Sequence, residues 1–214
     1  SVNAAYMTID NIKYYYVEGA DTCTVSGFES GITEASIPDF INGKAVNKIA
    51  DKAFQNCTTL TSVEISREVK TIGSYAFSGC SKLKTVILSD GITTIEDKAF
   101  SNCRMIETIV LPDSVTTVLD NVFNTCSALK NVTLSKNLNA ISDNMFTNCS
   151  ALASITIPES VTSIGTDAFA GCLNIEDLYL GNDLAVSQFV FKKMENISDV
   201  TFGNGVTSIA DYAF

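Results

Sequence analysis

The residues best suited to chemistry are seven cysteines, six of which are one position repeated: Cys57, Cys80, Cys103, Cys126, Cys149 and Cys172 follow at intervals of 23. Thiolates bind metals, attack carbonyls or cross-link. Zinc takes thiol pairs about two to four residues apart, and this interval supplies none. The chain has no His, which removes Cys-His and Ser-His pairs, the usual proton shuttle and imidazole metal ligands. Thiols stacked at about 5 Å between Cα atoms rarely meet the dihedral angle of a disulfide. The six are expected as a buried column of reduced thiols packing as small hydrophobes. Met194 takes the next place in the series, where a thioether fills the space but cannot bridge. Cys23 lies outside it.

Carboxylates are the second candidate. A polar residue stands three positions before each repeated Phe: Asp51, Ser74, Asp97, Asp120, Asp143, Thr166 and Asp211. Stacked carboxylates can hold calcium, but Ser74 and Thr166 interrupt the series. Capping of a short helical turn such as Asp97-Lys98-Ala99-Phe100 accounts for it, and no metal or cofactor is expected. The other acids are scattered, and none pair for general acid and base work. The main break in the repeat is a one-residue deletion near Asp183, Leu184 and Ala185, with a more apolar turn at Phe189, Val190 and Phe191. It fits local repacking. N-x-S/T triplets at Asn56, Asn131, Asn148 and Asn196 are weak signals, since three run straight into a core position.

The chain has 214 residues, with 14 Lys and Arg against 24 Asp and Glu, a net charge of −10. Such a charge opposes phosphate contacts, so nucleic acid and anionic membrane are poor partners. No apolar run approaches the roughly 20 residues of a membrane-spanning helix.

What positions these residues is a fixed period. Phe recurs at 54, 77, 100, 123, 146, 169, 191 and 214, spaced by 23 with one interval of 22. Each Cys is followed by an L-x-x-V-x-I rhythm, as in Leu152, Ile155 and Ile157, whose alternating end predicts a strand. Pro38, Pro112 and Pro158 come directly after such runs, where a missing N–H is expected to leave the ladder unharmed. A second apolar pair, such as Val69 with Ile72, leads on to the Phe turn. A unit with about seven apolar positions cannot close a core alone, whereas stacked units bury a continuous one. The prediction is a solenoid over residues 31–214 of about eight repeats, β-rich, with parallel strands and short helical or 3-10 turns.

Residues 1–30 fall outside the period. Tyr6–Ile9, Ile12–Val17 and Thr22–Ser26 predict three short strands, an N-terminal β cap over the first coil. Five extra residues around Phe40 to Lys44 are expected in a surface loop. The chain ends at Phe214 before the Cys turn that the other Phe residues of the series introduce, and no C-terminal cap is read there, so the expectation is either a fragment of a longer protein or self-association through that end.

Segments such as Ser154 to Cys172 resemble the 23-residue leucine-rich repeats of the BspA-like surface-protein family, over about residues 31–214. Val69, nine residues after Leu60, stands where better-known leucine-rich repeats carry Asn or Cys, so their asparagine ladder should be absent. The resemblance implies a right-handed leucine-rich-repeat solenoid, exported or cell-surface, of host-associated bacteria or protozoa, used in adhesion or protein binding. Ser1 is not followed by the charged start and apolar segment of a signal peptide, so secretion rests on the resemblance alone.

Alternation along the strands turns the residues between core positions outward, and stacking aligns them. One column runs Ser62, Thr85, Thr108, Asn131, Ser154, Asp177 and Asp199. The other runs Glu64, Ile87, Val110, Thr133, Thr156, Tyr179 and Thr201. Within them Glu64, Ile87, Val110, Thr133, Thr156, Tyr179, Asp177 and Asp199 form the expected protein-binding face, with Ile87, Val110 and Tyr179 as apolar anchors. The expected function is a non-enzymatic binding or adhesion module whose partner is a protein, of host extracellular or cell-surface origin. A structural spacer is the alternative, and a carboxylate-based hydrolase ranks last.

Overall fold

The computed structural model describes residues 3–181, 184–188, 190, 191 and 194–214. Asp183 and Phe189, named above at the repeat's irregularity, lie outside them. The chain opens with β1 (Ala4–Ile9), β2 (Ile12–Val17) and β3 (Thr22–Phe28), an antiparallel meander. Its first turn, Asp10-Asn11, has both φ angles positive, 52° and 63°, as a two-residue hairpin requires. β3 then pairs in parallel with β6 (Lys44–Ile49), so one sheet runs from the meander into the first coils.

The residues around Phe40 are a hairpin, not a loop. β5 (Phe40–Ile41) pairs antiparallel with β6 after β4 (Glu34–Ile37). Asn42 and Gly43 make its turn, with φ of 48° and 77°. Asn-Gly is the strongest short hairpin signal.

From there each coil contributes a strand to an outward column and most contribute a short strand to a second one. The outward strands are β7 (Ser62–Ile65), β9 (Thr85–Leu88), β11 (Thr108–Val110), β13 (Asn131–Thr133), β14 (Ser154–Ile157), β15 (Asp177–Leu180) and β17 (Asp199–Phe202). The short ones are β8 (Thr71–Ile72), β10 (Thr94–Ile95), β12 (Thr117–Val118), β16 (Ala185–Val186) and β18 (Ser208–Ile209). All pairings within the coils beyond β6 are parallel.

The third side is the Phe turn, and it is not helical: among the described residues no helix occurs. Lys52, Tyr75, Lys98, Asn121, Asn144 and Asp167 are left-handed there, and so are Asn56, Asn102, Thr125 and Asn148 two residues after the Phe. Left-handed residues break the helical path. They also turn alternate N–H groups toward the next coil. Lys52, Phe54 and Asn56 donate to the carbonyls of Ser74, Ala76 and Ser78 at 2.7–2.8 Å, and Tyr75, Phe77 and Gly79 repeat this on Asp97, Ala99 and Ser101. The intervening amides close turns within their own coil, Ala53 to Ala50 and Gln55 to Lys52.

Inside, the rings of Phe54, Phe77, Phe100, Phe123, Phe146, Phe169, Phe191 and Phe214 stack with centroids 5.0–5.9 Å apart. Phe28, at the end of β3, starts this stack 5.7 Å from Phe54. All but the end rings are buried. Offset stacking adds about 0.5–1.5 kcal/mol per pair beyond the burial.

Candidate interaction face

The strands of the outward column are short runs of β-branched and apolar residues, and alternation sends Val63 and Ile65, Ile155 and Ile157, or Leu178 and Leu180 into the core. The residues between them face solvent in register: Glu64 beside Ile87, Val110 beside Thr133, and Thr156, Tyr179 and Thr201 in line. Ile87 and Val110 are 50% and 52% exposed, while Tyr179 is half-buried. Asp177 and Asp199 stand directly opposite each other in adjacent strands.

This face is not one continuous ladder, and a proline follows the strand at each of its two breaks. Ser66, Ser89 and Gly203 each follow a strand and donate their N–H to the preceding coil, at Ile37, Ile65 and Leu180, over 2.7–3.2 Å. Pro112 and Pro158 occupy the same position and have no N–H. The ladder is broken at those two joints, β9 to β11 and β13 to β14. Proline after a strand was expected to leave the ladder unharmed, and at Pro112 and Pro158 it coincides with lost pairing, since one donor of the ladder sits one residue beyond the run.

Each break opens a depression in the face. The one at β9 and β11 measures about 340 Å³, between Lys84, Thr85, Glu107 and Val110. The one at β13 and β14 measures about 520 Å³, with Val132, Leu134, Pro158 and Tyr179 as its apolar lining and Thr133 and Thr156 on its strands. An extended face without pockets is thus replaced by one with a depression at each broken joint. Nothing in the spacing announces them; the signal was proline in place of Ser or Gly at a repeated position.

Electrostatically the face divides. Glu107 lies 3.7 Å from both Lys84 and Lys130. Lys136, beside the larger cavity, pairs with Asp113 at 3.5 Å, and its main-chain N–H holds the Asp113 carboxyl below its ordinary range. From Asn137 to Phe191 the chain then has six carboxylates and no Lys or Arg, before Lys192 and Lys193.

The thiols stand elsewhere, the six periodic ones after the Phe turn and Cys23 in β3. All seven are free and buried. Cys80, Cys103, Cys126, Cys149 and Cys172 donate to the carbonyl of the Phe one coil earlier, at 3.0–3.2 Å. They are more than small hydrophobes. Burial pushes the Cys126 thiol up to about 12, and burial raises Cys103 likewise. Such groups remain protonated and cannot attack.

The Asp series caps between coils, not within its own turn. Asp51 accepts from the amide of Ser74 at 3.2 Å, Asp120 from Asp143 at 3.2 Å and Asp143 from Thr166 at 2.7 Å. Gly73 and Gly165 allow this close approach, since a Cβ there would lie 2.5 and 2.4 Å from the carboxylate oxygens of Asp51 and Asp143. Among the described residues no group of three or more Cys, Asp or Glu could hold a metal ion. Of the N-x-S/T asparagines, Asn131 is exposed on the face, Asn56 and Asn148 are left-handed turn residues, and Asn196 donates to the Leu173 carbonyl.

The sequence profile of the BspA type leucine rich repeat region matches in six copies, over residues 47–176 and 139–214. No curated protein matches the chain. Among solved structures, a leucine rich repeat protein of T. pallidum is similar with a TM-score of 0.63 at 22% identity, covering 93% of this chain and 86% of that one. A leucine-rich repeat protein from Bacteroides ovatus gives 0.55 at 21%, covering 95% and 78%. One from Bacteroides capillosus gives 0.54 at 30%, covering 60% and 96%.

Proposed function

The chain belongs to the BspA-type leucine-rich repeat family, and from that premise we propose that it is a protein-binding or adhesion module of a secreted or cell-surface protein, working through its outward strand face. The family's fold is typical of surface and protein-interaction modules and is typically non-enzymatic. The observation that carries the reading is the pair of in-register solvent columns with half-exposed Ile87 and Val110 among small polar residues. Apolar anchors desolvate on contact, and surrounding Ser and Thr supply adaptable hydrogen bonds. The net charge of −10 favours a basic protein partner over nucleic acid, and the family resemblance makes a host extracellular or cell-surface protein the partner to test. No helix of the described residues is long and apolar enough to cross a membrane.

The test is binding to a panel of purified host extracellular proteins, with and without the triple change Ile87→Ser, Val110→Ser and Tyr179→Ser. Affinity should fall at least tenfold while the melting temperature stays nearly constant. Unchanged affinity for a bound partner would remove the site from this face.

A further inference from the structure

The larger cavity and the facing carboxylates lie on the same part of the strand face. The cavity offers Val132, Leu134, Pro158 and the Tyr179 ring to a guest, and its volume of about 520 Å³ falls in the range that accepts a large side chain or small ligand. From Thr156 and Tyr179 a smaller depression of about 220 Å³ continues across β14, β15 and β17 to Asp177 and Asp199. Those two carboxylates are paired residue to residue in neighbouring parallel strands, so their Cα atoms are about 4.8 Å apart. Like charges directly opposite are unfavourable, and among the described residues neither carboxylate forms an ion pair. From Asn137 to Phe191 the chain has no Lys or Arg, and the two cations between Asp177 and Asp199 in sequence, Lys192 and Lys193, lie outside the described residues.

We propose that this cavity and the Asp177–Asp199 pair form one peptide site, which takes an extended protein segment bearing an aliphatic or aromatic side chain and, three or four residues away, a Lys or Arg. The inference rests on the outward-face reading above and narrows it to the joint between β13 and β17. The spacing follows from the sheet. Two strands across is roughly 10 Å and two residues along is roughly 7 Å, a diagonal of about 12 Å, which an extended chain covers in three to four residues. The apolar residue fills the cavity that Pro158 keeps open, and the cation relieves the carboxylate pair. A neutral saccharide would use the Tyr179 ring and leave the charge pair unexplained; a nucleic acid would be repelled by it.

The experiment selects random dodecapeptides displayed on phage against the wild-type chain, then measures the chosen synthetic peptides on variants. The selected peptides should share an apolar residue spaced three or four from Lys or Arg. Asp177→Asn with Asp199→Asn should weaken them at least tenfold and flatten their salt dependence. Thr156→Trp, which fills the cavity from its exposed strand, should also weaken them at least tenfold, and Thr133→Trp does the same from the other side if the first variant melts early. Lack of enrichment, peptides without that pattern, or indifference to these changes overturns the site. Peptides lost on Ile87→Ser with Val110→Ser but indifferent to the cavity and the carboxylates leave the outward face standing and remove this inference. Peptides indifferent to all of these positions remove both. Retention of a neutral oligosaccharide that depends on Tyr179 and not on the aspartates also overturns it.

Discussion

The thiol of Cys126 lies 3.2 Å from the main-chain oxygen of Phe100, and that oxygen also accepts the Cys103 N–H at 3.3 Å. One carbonyl thus serves its own coil and the next. The repeated cysteine is a hydrogen-bond donor that buries with little desolvation, which explains why a thiol and not an alanine recurs under the stacked rings.

The pH dependence of stability follows. Cys126 titrates near 9 when unfolded and near 12 when folded, because burial disfavours the thiolate. The stability it contributes is complete below pH 9 and is lost as pH rises from 9 toward 12. The loss is about 1.4 kcal/mol per pH unit for each such thiol. Urea midpoints at pH 8 and pH 10 measure it, and Cys126→Ala should show a shallower decline. In the native protein few thiols should react at neutral pH, and all seven should react on unfolding without reductant. Equal midpoints at the two pH values would mean that the thiols ionise in the folded state.

Thr125 holds a φ of 62° at a position that is Asn at 56, 102 and 148 and Gly at 79 and 171. A β-branched residue is costly in that region, whereas Asn tolerates it. Thr125→Asn should stabilise by roughly 0.5–1 kcal/mol, and Asn102→Thr should destabilise by a similar amount. Thermal unfolding of the two variants decides the matter, and a destabilised Thr125→Asn would contradict it.

Pro158→Ser supplies an N–H at the position where Ser89 meets the Ile65 carbonyl of the preceding coil. A new ladder bond contributes about 0.5–1.5 kcal/mol, offset by about 0.4–1 kcal/mol of added freedom in the unfolded chain, so overall stability should hardly move. Hydrogen exchange reads the change directly. The new amide at position 158 should be protected as strongly as that of Ser89, and exchange at the unprotected rate would show that proline is not what separates β13 from β14.

The period, the alternation of the strands and the core role of the Phe series were legible because each depends on side-chain type alone. The turn conformation was not. Lys52, Tyr75 and Lys98 carry no left-handed preference, and they adopt it because their N–H groups then meet the next coil. Phe28 escaped notice as the first ring of the stack because it stands 26 residues before Phe54 and lacks a following Cys. The outward positions of Ile87 and Val110 could be read from alternation. The cavities could not, since the effect of a proline depends on which neighbour its missing N–H would have met.

The Phe turns donate in one sense only, each coil's amides meeting the carbonyls of the coil after it. Peptide dipoles that alternate and cancel in a strand ladder add along this edge instead. The stack is consequently an electrically directed object, with carbonyl oxygens leading at one end and amide hydrogens at the other. Any further coil must join with the same orientation, whether it comes from the same polypeptide or from another molecule. Junctions along this edge are head to tail, and a twofold arrangement of two such edges would set donor against donor or acceptor against acceptor.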